Sequence, residues 1–145
     1  MCVFCFLWGV DQNPGSFSLH NLSPWIDGGF VEVLGHSQVK PWLYQTSVFV
    51  LPSYRDGLPR STQEAMALGR PVITTNVPGC RETVVEGVIG FLVPPREVCG
   101  LARAMRCFVE QPQLIESMGR ESRRLAVQRF DVRLANARLV EVMGI

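Results

Sequence analysis

Ser47-Val-Phe-Val-Leu51, followed by Pro52-Ser-Tyr-Arg-Asp-Gly-Leu-Pro-Arg60 and then Ser61-Thr-Gln-Glu-Ala-Met-Ala-Leu-Gly69, is the stretch whose reading decides the fold. A short apolar run stopped by proline reads as a strand covered on both faces, as in a parallel sheet sandwiched by helices, and it is expected to be the most buried strand. The nine residues after it hold two prolines besides Gly57, a loop composition. Ser61-Thr-Gln-Glu64 has the spacing of a capping box, Glu64 to Leu68 are strong helix formers, and Gly69 supplies a left-handed stop. Strand, loop and helix in this order form the opening of a βαβ unit.

The same alternation continues on both sides. Downstream, Pro71-Val-Ile-Thr-Thr75 is a fourth strand, residues 81–86 a short helix and Gly90-Phe-Leu-Val93 a fifth strand ended by Pro94-Pro95. From about Arg96 the pattern is helical, with Leu101, Met105 and Phe108 on one face and breaks at Gln111-Pro112 and Phe130-Asp131, giving three helices. Upstream, Cys2 to Trp8 is a strand and Asp11 to Ser18 a loop. An amphipathic helix follows, capped by Ser18 and closed by Gly28-Gly29. Phe30 to Leu34 is the second strand, and a weak helix runs from about Gln38 to Gln45 with Pro41 near its first turn. The expected fold class is α/β: a doubly wound, Rossmann-like parallel sheet with C-terminal helices. Ligands of such sheets bind beyond the carboxyl ends of the strands, so the loops after Leu34, Leu51 and Thr75 are where chemistry is sought.

With 145 residues, 47% of them hydrophobic, 19% charged and a net charge of +1, the chain suits one globular domain. The near balance of 14 basic and 13 acidic residues argues against nucleic acid as a partner. Five scattered cysteines point to reduced thiols and a cytoplasmic setting; Cys2 and Cys5 form a C-x-x-C inside an apolar run and read as strand residues, not as a metal or redox pair. No metal is expected.

The loop ending at Arg60 feeds a helix N-terminus, where unpartnered amides and the helix dipole favour a phosphate or diphosphate. Gly57 allows close backbone approach, and Arg55 and Arg60 can add charge. Neither G-x4-G-K-[ST] nor G-x-G-x-x-G occurs, so ATPase and dinucleotide readings lose support. Asp56 and Glu64, with seven residues between them, suit hydroxyl groups such as a ribose or hexose diol, because a carboxylate accepts two bonds at once. The plainer readings stand beside this one: Glu64 as the third residue of a capping box, Asp56 as a D-G turn residue. Asn76-Val-Pro-Gly-Cys-Arg-Glu82 is either an ordinary turn or a third ligand loop in which Gly79 admits a ligand. Of the two histidines, His36 ends a strand on the ligand side and is a candidate for lining the site, whereas His20 reads as a surface residue.

At Val48-Phe-Val-Leu-Pro-Ser53, Asp56-Gly-Leu-Pro-Arg-Ser61, Glu64-Ala-Met-Ala-Leu-Gly-Arg-Pro-Val72, Pro78-Gly-Cys-Arg-Glu82 and Gly90-Phe-Leu-Val-Pro-Pro95, the sequence resembles the donor-binding C-terminal domain of retaining glycosyltransferases of group 1, family 4. These enzymes pair two Rossmann-like domains. The resemblance implies transfer of a sugar from a nucleoside-diphosphate donor to a glycan or lipid-linked acceptor, with anomeric retention, in the making of surface polysaccharide or glycoprotein glycans. The family's E-x7-E signature falls on Asp56 and Glu64. By resemblance, Glu64 holds the nucleotide ribose, Asp56 meets the donor sugar, and the Gly57-Leu58-Pro59 backbone lies at the phosphates; on the residue-level reading above, Gly79 is the further candidate at the donor sugar and Arg60 and His36 are those at the nucleotide. Asp56 departs from the pattern by one methylene, and Ile89 stands where a polar residue is more usual.

The resemblance further implies that residues 1–145 form a single incomplete donor domain. Its counterpart for the acceptor, and the opening strand and helix whose Arg and Lys neutralise the diphosphate, have no equivalent in the chain. The absent strand is central in the order 3-2-1-4-5-6. The expectation is a cytoplasmic protein, working at the inner membrane face where the acceptor is lipid-linked, whose isolated chain is inactive. The alternative is a non-catalytic nucleotide-sugar-binding or remnant fragment; a receiver or flavodoxin-like domain lacks its acidic cluster or flavin loop here.

Overall fold

A computed structural model describes residues 4–6, 19–33 and 39–144, in two compact units, residues 1–39 and 40–145. In the first unit, β1 (Phe4–Phe6) pairs in parallel with β2 (Val31–Val33), Phe4 opposite Val31, and the crossover carries α1 (Leu19–Asp27). Pro24 lies inside α1 and has no N–H to donate, so the Ser23 hydroxyl donates instead to the His20 carbonyl at 2.9 Å. His20 is exposed, as expected. Ser18, Gly35, His36 and Gln38 lie outside the described residues, as does most of the Cys2 to Trp8 strand beyond Phe4–Phe6.

Helix α2 (Val39–Gln45) leads into the second unit, which continues as β3 (Phe49–Leu51), α3 (Arg60–Ala67), β4 (Val72–Thr75), α4 (Cys80–Thr83), β5 (Gly90–Val93), α5 (Val98–Glu110), α6 (Gln113–Phe130) and α7 (Val132–Met143). Its sheet has the order β3-β4-β5 and is parallel throughout, with Val50 opposite Ile73 and Ile73 opposite Phe91. Successive β4 residues face opposite ways. Val72 packs with Met66 of α3 and Leu125 of α6, whereas Ile73 packs with Ala104 and Phe108 of α5 and Met118 of α6. Helices therefore cover both faces, the doubly wound arrangement expected.

Four local expectations need correction. The most buried strand is β4, whose four residues are all buried, while β3 is half-buried: β4 has a neighbour on each edge and β3 only one within its sheet. Helix α3 starts at Arg60, so the capping box does not form. Pro59 stands at the N-cap with φ −65° and its carbonyl accepts from the Gln63 amide, which places Ser61 one residue inside the helix. Helix α4 ends at Thr83, because Val84 turns extended to enter the core beside Met66 and Ile89. Helix α5 begins after Arg96, whose φ of 65° belongs to a turn closed by the Glu97 amide on the Pro94 carbonyl. The left-handed stop at Gly69 is present, with φ +69°.

Candidate functional site

The carboxyl ends of β3, β4 and β5 release three turns. Their roots are fixed to the central strand: the Thr75 hydroxyl donates to the Ser53 carbonyl, and the Asn76 amide donates to the Val93 carbonyl at 2.8 Å. Within the β3–α3 loop, the Ser53 hydroxyl donates to the Arg55 carbonyl at 3.2 Å, and the Gln63 side-chain amide donates to the Leu58 carbonyl at 3.4 Å. Pro59 is buried, so the loop is pinned where it enters α3, while Arg55, Gly57, Leu58 and Arg60 are exposed and Asp56 is half-buried.

The β4–α4 turn meets this loop backbone to backbone. Gly79 has φ +83°, and a Cβ placed on it would fall 1.6 Å from the Gly57 carbonyl oxygen and 2.5 Å from that of Asp56. The space beside Gly79 is thus filled by the Asp56-Gly57 backbone, which accounts for the glycine by loop-on-loop packing.

Because α3 begins at Arg60, the amides of Arg60, Ser61 and Thr62 precede the first intrahelical bond, Gln63 to Pro59. They form a field of N–H dipoles at the positive end of the helix, suited to an anion. Glu64 stands one turn further, its side chain one-third exposed and 3.9 Å from the Arg60 guanidinium. Freed from a capping role, its carboxylate remains available to hydroxyl donors. Thr62, which sequence reasoning passes over, is fully buried in the first turn of α3 with a hydroxyl that finds no partner among the described residues.

Of the candidates, Asp56, Gly57, Leu58, Pro59, Arg60 and Glu64 share one loop-helix junction, Gly79 packs on it, and His36 lies outside the described residues. Arg81 and Glu82 pair with each other at 4.0 Å on the surface. Among the described residues, no three His, Cys, Asp or Glu side chains gather as a metal centre requires, and no helix is long and apolar enough to cross a membrane.

A concavity of about 460 Å³ lies at the amino end of β4 between the end of α3 and α6, lined by Arg70, Ile115, Gly119, Arg120 and Arg123. Its arginines are engaged: Arg70 donates to the Leu43 and Tyr44 carbonyls, Arg123 to the Ala67 carbonyl at 3.0 Å, and Arg120 to Glu116 at 2.9 Å. They tie helix ends together, and the groove is at the opposite end of the sheet from the loops.

Residues 7–111 match the family model described as glycosyl transferases group 1. The chain is 33% identical over 102 residues to a glycogen synthase of Mycobacterium tuberculosis, covering 70% of this chain and 25% of the relative. It is 28% identical over 126 residues to the N,N'-diacetylbacillosaminyl-diphospho-undecaprenol alpha-1,3-N-acetylgalactosaminyltransferase of Campylobacter jejuni, covering 86% and 32%. Among solved structures, Anabaena Alr3699/HepE in complex with UDP-glucose superposes with a TM-score of 0.82 at 25% identity, covering 98% of this chain and 40% of that one. The chain spans between a quarter and two-fifths of the length of these relatives.

Proposed function

The chain belongs to the group 1 glycosyl transferases, and from that premise we propose that it carries the donor half of a retaining sugar transfer, binding a nucleoside-diphosphate sugar at the β3–α3 junction. The observation that carries this reading is the convergence at one helix start of unpartnered amides, a backbone-packed glycine loop and an accessible carboxylate one turn along. The diphosphate would lie on the Arg60, Ser61 and Thr62 amides beside Gly57, Leu58 and Pro59. Glu64 would take the ribose diol, and Asp56, with the Gly79 turn behind it, would take the sugar hydroxyls. A UDP-glucose complex of the Anabaena relative supports a donor of this class.

In transfer with retention, the acceptor attacks on the face from which the nucleoside diphosphate departs, and the sugar gains oxocarbenium character. The developing charge is on the leaving diphosphate, so preorganised amides and the helix dipole lower the barrier without a metal. We assign the acceptor, a glycan or lipid-linked glycan, to protein outside residues 1–145. The undecaprenol-linked substrate in the Campylobacter relative's name supports a lipid-linked acceptor, which would set the reaction at the inner face of the cytoplasmic membrane.

Two measurements test this reading. Calorimetric titration with UDP and with GDP is expected to give millimolar or tighter binding by one of them, weakened at least about tenfold in Glu64→Ala; no binding by either would leave the inert-fragment alternative. A radiolabelled transfer assay with UDP-glucose is expected to give no turnover by the chain alone, and turnover above background would overturn the assignment of the acceptor to other protein.

A further inference from the structure

The β3–α3 and β5–α5 turns leave the two outer strands of a three-stranded sheet. Adjacent strands lie about 4.8 Å apart, so these turns start roughly 10 Å from each other with the end of β4 between them. Across that gap the Arg96 guanidinium carbon stands 5.4 Å from the centre of the Tyr54 ring, within cation–π range. Both side chains are exposed, Tyr54 at 67%, so their meeting is no by-product of core packing. Arg96 is also the sole non-glycine residue with a positive φ among the described residues, 65°. An arginine in left-handed backbone is disfavoured relative to glycine, and here that conformation coincides with the guanidinium's position over the ring.

Tyr54 sits between two anchors of the donor loop, the Ser53 carbonyl held by the Thr75 hydroxyl and the Gly57 backbone packed on Gly79. We propose that Arg96 is a positioning residue for the donor loop: by clasping Tyr54 across the end of β4 it fixes the path of the backbone through Asp56 and Gly57, and so the geometry offered to the nucleoside-diphosphate sugar. This inference rests on the donor-site reading above. Arg96 acts through Tyr54 and needs no contact with the ligand.

The test uses the full 145-residue chain with UDP as the probe, in four single variants and one double. Arg96→Gly suits the left-handed φ, so its melting midpoint stays at or above that of wild type while its UDP dissociation constant rises roughly two- to fivefold. Tyr54→Leu gives the same rise, whereas Arg96→Lys and Tyr54→Phe, which keep a cation over a ring, bind as wild type. The double variant Arg96→Gly/Tyr54→Leu binds no more weakly than either single, because both remove one contact. Amide exchange quickens in Arg96→Gly at Arg55, Asp56 and Gly57 and not in the core of β4. Wild-type affinity in Arg96→Gly, failure of lysine to rescue, or losses that multiply in the double variant would each overturn the proposal. If the wild-type chain binds no UDP, the donor reading fails, and the clasp is judged on ligand-free readouts: an upfield ring-current shift of the Arg96 side-chain protons and faster exchange at Arg55 to Gly57 in Arg96→Gly support it, and their absence sinks it.

Discussion

Replacing Gly79 with alanine separates the cost of an unusual backbone angle from the cost of a broken loop contact. The new Cβ would lie 1.6 Å from the Gly57 carbonyl oxygen, 2.4 Å from its carbon and 2.5 Å from the Asp56 carbonyl oxygen. Ordinary contact begins near 3.4 Å, so the Gly57 backbone must retreat by about 1.8 Å. No side chain is available to rotate away, since all three neighbours are backbone atoms. Gly87 is a positive-φ control without a contact, with φ +71° and nothing within 4 Å of an added methyl. Gly87→Ala then reports the left-handed penalty alone, about 1 kcal/mol. Gly79→Ala combines the backbone cost of its own φ 83° and ψ −54° with the displaced loop, on the order of 3 kcal/mol in all, a typical upper range for a single substitution. For a domain of this size that corresponds to roughly 10 °C in melting temperature. Scanning calorimetry of both variants decides the matter. If Gly79→Ala melts within a degree or two of Gly87→Ala, the two loops do not touch as described, and the account of how Asp56 and Gly57 are held is wrong.

Three further outcomes are expected. Glu64→Ala leaves thermal stability nearly unchanged, since its ion pair with the highly exposed Arg60 is worth at most about 1 kcal/mol, yet weakens UDP binding at least about tenfold if the carboxylate holds a diol; parallel melting and titration read both. Ser122→Ala removes a fully buried hydroxyl that donates to the Arg70 carbonyl at 2.8 Å, and urea denaturation should show a loss of about 1 to 2 kcal/mol. Asp131 caps α7 by accepting from the Arg133 amide at 2.9 Å, and the Arg133 side chain and amide hold its carboxyl below the ordinary 3.8. A lowered folded-state value means the cap is fully present above pH 3.8 and is lost as pH falls through that lowered value. Helical circular dichroism should decline there, and Asp131→Asn should reduce the decline.

Much of the second unit can be read from local chemistry. The left-handed stop at Gly69, the proline-bounded strands and the breaks at Gln111-Pro112 and Asp131 depend on residues close in sequence, and each stands where expected. The burial of β4 over β3 is not legible, because two apolar runs look alike until the sheet order gives one of them two neighbours. A serine with capping chemistry draws the expected start of α3 away from its true place, where the backbone of Pro59 performs the task. At the site, Asp56 and Glu64 stand out by their spacing, whereas the reason for Gly79 lies in the Gly57 carbonyl 22 residues earlier, and the Tyr54–Arg96 contact joins residues 42 apart. Nothing in either segment announces its partner, since such contacts exist only once parallel strands bring their carboxyl ends together.

The central claim is that a nucleoside diphosphate binds at the start of α3. Amide chemical-shift mapping of the chain during titration with UDP tests it most directly. The largest shifts are expected on Gly57, Arg60, Ser61 and Thr62, and in Glu64→Ala the same shifts require at least about tenfold more UDP. Shifts gathered instead around Arg70, Arg120 and Arg123 at the amino end of the sheet, or no shifts at saturating nucleotide, would contradict it.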